Sequence, residues 1–349
     1  MFHGEILFFL LILIGLVYIL TVLFFYLIIQ KAIENSRRRK INQYKQEYQS
    51  ALFKYINEGI EEKDLRCPSF LQMEAFIELL EEFISMISSE HFQRKTKEFA
   101  ESHFQGIMLK KLKHSRWSIR MNALFQIEDF QMEIMTNNLN LLYKSKDLTK
   151  AEEIQILKIY ARFDYPDLYN RMVYPKHALT EFEYNLLFRR MSEQTFERIY
   201  NRFSELPQRM KYSFIESIGT RNQQNNGRFL KGLLEDDSSE VRIRALKAMV
   251  TIGFQLEESE VIEYLQSDQW QERLMAIKIC DQIRSDEFIP FLLDLLSDST
   301  FYVRSQAAKT LLRMENGIQI LYEVAATNED PFARDMAEQW LERGPGHDK

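Results

Sequence analysis

Cysteine is almost missing from this chain: Cys67 and Cys280 are the only two in 349 residues, far apart and in no CxxC spacing. That count excludes a disulfide framework and a thiolate metal cluster. It points to a reducing compartment, with both thiols buried as small hydrophobes. Glycine and proline are also scarce, at 11 and 7, and long Leu, Ile, Phe and Met runs with interleaved charge favour helix throughout. There is no Gly-rich phosphate loop, nucleophile elbow, HExxH or EF-hand string. His91, His103 and His114 stand 12 and 11 residues apart, which does not group them on one helical turn. They read as surface or cap residues rather than zinc ligands. The acid pairs Glu81-Glu82, Asp236-Asp237 and Glu257-Glu258 read as helix starts or solvated faces, with nothing to set their pKa values apart for acid–base work. Catalysis, a cofactor and a metal are therefore not expected.

Nor is there an excess of positive charge. Lys and Arg number 45 against 51 Asp and Glu, a formal net charge of −6, so no general attraction to nucleic acid is expected. The charge is uneven: residues 231–349 hold 13 basic and 23 acidic side chains, leaving 32 basic and 28 acidic in the first 230.

What is present is a repeat. Val241-Arg242-Ile243-Arg244-Ala245 supplies an arginine and an alanine three apart that return as Arg273 with Ala276, Arg304 with Ala307 and Arg334 with Ala337. The arginine steps are 31, 31 and 30 residues, and an acid stands upstream each time: Asp236 and Asp237, Asp268, Asp298, Glu329. A period of that length is one helix pair, which cannot bury its apolar face alone and must stack on neighbours. Arg120 with Ala123 restates the pattern 122 residues before Arg242, close to four steps. Three more degenerate units are therefore expected between, with helices near 131–143, 149–162, 166–173, 180–191, 195–204 and 208–218. Arg209 with Tyr212 is the candidate arginine position of one of them. Each alanine sits where the second helix approaches its neighbour closely.

The N-terminus is of another kind. Ile6 to Ile29 is an uncharged run of 24 residues, reaching about 36 Å as a helix, enough for a hydrocarbon core of about 30 Å. It lacks the basic n-region and small-residue exit of a cleaved signal peptide, and reads as a retained anchor. Lys31, Arg37, Arg38, Arg39, Lys40 and Lys45 follow, against Glu34 alone. The positive-inside rule places that side in the cytoplasm, with the short N-terminus outside. The basic cluster serves as a topology signal, or adds attachment to anionic headgroups at about 1 kcal/mol per residue. The run has no GxxxG pair, and nothing in the sequence speaks to oligomeric state. Residues 41–66 read as a polar stalk continuing the anchor helix to a break near Cys67-Pro68-Ser69, with Ser69 capping the next helix.

Leu233-Leu234, Asp237, Val241-Arg242 and Ala245-Leu246 resemble HEAT repeats, as do Leu295-Leu296, Asp298, Val303-Arg304, Ala307-Ala308 and Leu311-Leu312. The likeness covers 228–343, is fair at 109–127, and departs from the pattern at Glu272 and Ala333. It implies an all-α fold, an α-solenoid of HEAT-like helical hairpins preceded by a single transmembrane helix. It also implies a structural ladder in which Asp and Arg pair along the turn between helices and align one unit on the next, made of Arg120, Asp237, Arg242, Asp268, Arg273, Asp298, Arg304 and Arg334. The expected organisation is an anchor over 1–30, a basic juxtamembrane stalk over 31–66, the solenoid over 67–343 and a loose tail over 344–349.

Between Lys144 and Lys231 aromatics interleave with 16 basic and 11 acidic residues. They serve as core filler, or they form a partner groove with Arg189, Arg190, Tyr200, Arg209 and Tyr212 as candidates. Stacking on single-stranded nucleic acid fits the same composition, but the anchor and the acidic C-terminal third disfavour it. The expectation is a membrane-anchored cytoplasmic scaffold or adaptor for a membrane-associated protein, held also by lipid. It resembles membrane-anchored HEAT-repeat proteins that accompany envelope glycosyltransferases in bacteria. The alternatives are a HEAT-like enzyme of lyase or glycosylase type and a nucleic-acid binder.

Overall fold

A computed structural model describes residues 2–60, 65, 69–221 and 224–344. Cys67 and the tail from 345 lie outside these. Among the described residues there are nineteen α-helices, short 3-10 turns and no strand. The chain divides into two compact units, 1–163 and 164–349.

The first unit holds α1 (Phe2–Glu58), α2 (Phe70–Met86), α3 (Glu90–His103), α4 (Gln105–Leu112), α5 (Trp117–Asp129), α6 (Thr136–Lys144) and α7 (Lys150–Arg162). α1 has two characters. From Leu10 to Ile29 its side chains are exposed throughout, and it is the one described helix long and apolar enough to cross a membrane by length and composition. Further on, Ile41, Leu52 and Ile56 are buried. Their spacing draws one stripe along the helix, and that stripe packs on α2 and α3. Tyr48 meets Phe76 at 5.2 Å, Phe53 meets Phe83 at 5.6 Å and Tyr55 meets Phe99 at 5.7 Å between ring centroids. The expected stalk is therefore corrected over its described part: the anchor helix does continue to Glu58, but over 41–58 one face of it is packed as core. Charged residues flank that stripe, Lys45 reaching Glu78 and Glu82 of α2, which makes the segment read as polar. Leu52 and Ile56, both fully buried, stabilise the unit by about 1.5–3 kcal/mol each. Ser69 does cap α2, its Oγ accepting from the Gln72 N–H at 3.2 Å.

The second unit holds α8 (Leu168–Val173), α9 (Glu181–Phe188), α10 (Glu193–Tyr200), α11 (Gln208–Thr220), α12 (Gly227–Gly232), α13 (Ser239–Ile252), α14 (Glu258–Leu265), α15 (Trp270–Ile283), α16 (Ile289–Asp294), α17 (Phe301–Leu312), α18 (Gly317–Thr327) and α19 (Pro331–Arg343). α9, α11, α13, α15, α17 and α19 pack each on the next. α12, α14, α16 and α18 each pair with the helix that follows. The result is a row of stacked hairpins, an α-solenoid. Ala245, Ala276, Ala307 and Ala337 are all fully buried along the stacked row, where a longer side chain would force the helices apart. The α17–α18 turn is equally tight: a Cβ on Gly317 would lie 1.8 Å from the Leu311 carbonyl oxygen. Cys280 is buried in α15, and burial pushes its thiol pKa far up, so it is an inert core residue.

Candidate partner-binding surface

The arginines that mark the repeat form one recurring device. Nη1 of Arg120 donates to the carbonyls of His114 and Ser115 at 2.9 and 3.0 Å. Arg242 does so to Asp236 and Asp237 at 2.8 and 3.3 Å, and Arg334 to Asn328 and Glu329 at 2.6 and 3.1 Å. Arg304 reaches the Asp298 and Ser299 carbonyls at 2.6 and 3.2 Å, and Arg273 the Ser267 carbonyl at 2.7 Å. These are carbonyls of the turn before the second helix, left without a helical partner. The carboxylate arrives from the next unit: Glu152 on Arg120 Nε at 2.6 Å, Glu272 on Arg242 Nε at 2.8 Å, and Asp298 on Arg273 Nη2 at 2.6 Å.

The carboxylate–arginine pairs thus link one repeat to the next. Asp237 serves through its carbonyl, Asp268 is exposed beside the turn, and Asp298 joins two rungs. Glu272, which breaks the repeat pattern in sequence, is the acceptor that Arg242 needs. Burial pushes the Glu152 carboxyl up, but the hydrogen bonds from Arg120 and from the Thr149 backbone and hydroxyl outweigh it and hold its pKa down.

A second set of ties, invisible in the repeat pattern, runs along the opposite ends of these helices. Arg221 donates to the Phe188 and Met191 carbonyls at 2.7 and 2.9 Å, Gln282 to the Val250 carbonyl at 2.8 Å, and Arg313 to Asp281 at 2.7 Å. Arg209, expected at a ladder position, is exposed on α11 instead.

The structure does not bring the five groove candidates together. Tyr200 turns inward, its ring 4.8 Å from Phe229 and 6.4 Å from Phe214, as core filler. Arg189 is exposed and Arg190 half-buried at the end of α9. Tyr212 lies under the Arg244 guanidinium, 4.6 Å from its ring centroid. Arg244 in turn meets Glu181 at 2.9 Å, Glu240 at 2.5 Å and Glu216 at 3.9 Å. Together with Lys247 these line a hollow of about 350 Å³ across α9, α11 and α13. Its charges are already paired.

The clearest unpartnered surface is elsewhere. Phe301, Tyr302 and Phe332 are 49, 65 and 59 % exposed, at the starts of α17 and α19. Trp270, at the start of α15, stacks on Tyr302 at 6.1 Å, and Arg304 lies 4.9 Å from the Phe332 ring. The aromatics therefore run from unit to unit along the edge that carries the ladder. Exposed Asp236, Asp237, Asp268 and Glu329 stand in the turns of the same edge.

In the first unit the basic cluster is divided. Arg37 pairs with Glu74 at 3.6 Å, Arg38 with Glu78, and Lys45 with Glu78 at 3.4 Å and with Glu82. Lys31, Arg39 and Lys40 are exposed, with no ion pair among the described residues. The acids of α2 also face a hollow of about 640 Å³ that Lys110, Lys111, His114 and Phe125 help to line. Glu81 is half-buried there rather than solvated, contrary to the sequence reading. Burial raises its pKa, Gln126 donating at 3.0 Å opposes this, and Asp129 and Glu78 add repulsion. A carboxyl with a raised folded-state pKa costs stability while ionised, and the cost disappears as pH falls through that pKa. Glu81→Gln is accordingly expected to stabilise the protein modestly at pH 7. In urea unfolding curves the gain should shrink on acidification; a gain independent of pH would reject this account. Among the described residues no three His, Cys, Asp or Glu stand close enough to hold a metal ion.

No curated protein matches the chain. The family model described as HEAT repeats matches residues 258–342, which take in α14 to α18, all but the last residue of α19, and the rungs Arg273, Arg304 and Arg334. The stacked hairpins of that stretch are similar to HEAT repeats, which commonly form helical scaffolds for protein interactions.

Proposed function

We propose that this protein is a membrane-anchored scaffold without catalytic chemistry of its own, and that it holds a protein partner along the turn edge of its C-terminal repeats. The carrying observation is the row of exposed Phe301, Tyr302 and Phe332, backed by half-buried Trp270, among acidic turns. Large aromatics left in water on a rigid array mark interaction sites, and Trp and Tyr are favoured at their energetic centres. The acid excess over 231–349 favours a partner segment that is basic as well as apolar. The exposed apolar half of α1 supports anchoring, and the flanking Lys31, Arg39 and Lys40 support a cytoplasmic position for the repeats. Confinement beside the bilayer would raise the effective concentration of a membrane-associated partner, such as an envelope glycosyltransferase.

A photo-crosslinking residue in place of Tyr302, in the full chain in its native membrane, tests this reading. Expected is one discrete crosslinked protein that is lost when Phe332→Ser is added, with none formed from the same residue in place of Glu323. Equal crosslinking from both positions would defeat the assignment of this edge.

A further inference from the structure

We propose that the turn between α4 and α5 is a second membrane contact, seated on anionic lipid headgroups beside the point where α1 leaves the bilayer. The proposal rests on the anchor reading of α1. Between Glu101 and Glu128 the sequence has no acidic residue, while Lys110, Lys111, Lys113, Arg116 and Arg120 fall there with His114. Lys111 and Arg120 are taken up by Glu74 and Glu152. Lys110, Lys113 and Arg116 are exposed, with no ion pair among the described residues.

Their place in the unit decides what they face. Arg116 lines a hollow of about 500 Å³ together with Leu27, Gln30, Lys31, Ile33 and Glu34 of α1. The turn therefore sits level with the last apolar residues of α1 and the first polar ones. At about 1.5 Å per residue, Lys31 is roughly 3 Å and Glu34 roughly 7 Å beyond Ile29 along the axis. The headgroup layer extends about 5–7 Å past the hydrocarbon on each side. If α1 spans, this turn has to share that layer.

Its side chains suit the position. Trp117 follows Arg116 and is 47 % exposed, its indole N–H donating to the Thr149 hydroxyl at 3.2 Å. A half-exposed indole beside unpaired cations is the composition of a membrane interface. Phe70 is 54 % exposed next to Arg37, whose guanidinium lies 5.7 Å from its ring. It lines the adjoining hollow with Lys110 and His114. With α1 as one attachment and the turn as another, the first unit would be held in one orientation against the bilayer instead of swinging about its anchor.

The test uses the full chain with Trp270→Phe and Trp340→Phe, leaving Trp117 as the only indole. It is reconstituted in phosphatidylcholine vesicles containing about a third phosphatidylglycerol, with bromine placed either near the headgroup or at mid-chain. Expected is blue-shifted Trp117 emission, quenched more by shallow bromine than by deep. The quenching should fall about twofold or more in Lys113→Glu/Arg116→Glu and in vesicles without phosphatidylglycerol. A companion chain with Trp117→Phe added and Leu13→Trp as its only indole reads the anchor, and deep bromine should quench it most. Leu13→Trp quenched with Trp117 unquenched overturns the docking contact and leaves the anchor standing. Neither quenched overturns both. Trp117 quenching that ignores charge reversal overturns the assignment to anionic lipid. Amine labelling of the unmodified chain does not depend on the tryptophan changes. Lys110 and Lys113 should react several-fold more slowly in anionic vesicles than in detergent, with Lys247 unchanged, and equal rates would overturn the contact.

Discussion

Arg120→Ala is expected to destabilise the first unit by about 3–5 kcal/mol at pH 7, the usual result of stranding a buried charge. Glu152 is fully buried, and it accepts from Arg120 Nε at 2.6 Å, the Thr149 N–H at 3.0 Å and the Thr149 hydroxyl at 2.8 Å. Without the guanidinium the carboxylate keeps only its cap contacts, and the carbonyls of His114 and Ser115 lose their donor. The pH dependence identifies the cause. In the native protein the folded-state pKa of Glu152 is depressed, so its stabilisation is present above the unfolded carboxyl value of about 4.3. It is lost as pH falls through the folded-state pKa. In the variant burial dominates, and acidification should relieve the penalty. Urea unfolding at neutral and mildly acidic pH should therefore show the two proteins converging as pH falls. Adding Glu152→Gln to Arg120→Ala should restore part of the loss, and Arg120→Lys should fall short of native because an ammonium cannot bridge both carbonyls and the carboxylate. Curves for Arg120→Ala that overlay the native ones at every pH would remove the ladder from the account of stability.

Ala307→Phe should carry the next largest effect, about 1–3 kcal/mol or somewhat more. Ala307 has no exposed surface and sits one turn past Arg304 on α17, between α15 and α19. A phenyl group there must displace a neighbouring helix or leave its rotamer well, and in a stacked array the strain is shared with the units on either side. The loss should exceed that of any exposed charge change in the same unit, for which about 0.5 kcal/mol is typical. Hydrogen exchange should show faster amide opening in α15, α17 and α19 than elsewhere in the second unit. An unchanged melt, or loosening spread evenly over that unit, would count against close helix stacking as the reason for the alanine.

How much of this could be read in advance depends on the range of the interaction. The arginine–alanine spacing is a local, helical signal repeated along the chain, so helix pairing, the buried alanines and the positions of the rungs were legible. Helices between 131 and 220 were legible for the same reason: Pro175 and Pro207 punctuate them, and Thr149 and Thr180 cap α7 and α9. The acceptors were not legible. Glu272, Asp298 and Glu152 stand 25 to 32 residues from the arginines they meet, and in sequence Glu272 looked like a defect. Glu81 and Glu82 read alike, yet one is half-buried and the other exposed, because the α5 surface closes over only one of them. The groove candidates failed similarly: Tyr200 and Tyr212 are both tyrosines among arginines, and only packing sends the first inward.

By itself the sequence determined that this is a chain of amphipathic helix pairs with an apolar N-terminal run and no catalytic motif, because periodicity and composition are properties of neighbours along the chain. Tertiary structure alone decided which carboxylate neutralises which arginine, that one face of residues 41–58 is core, and which aromatics remain in water. Those outcomes depend on which helix faces are covered, and burial is settled only when distant segments meet.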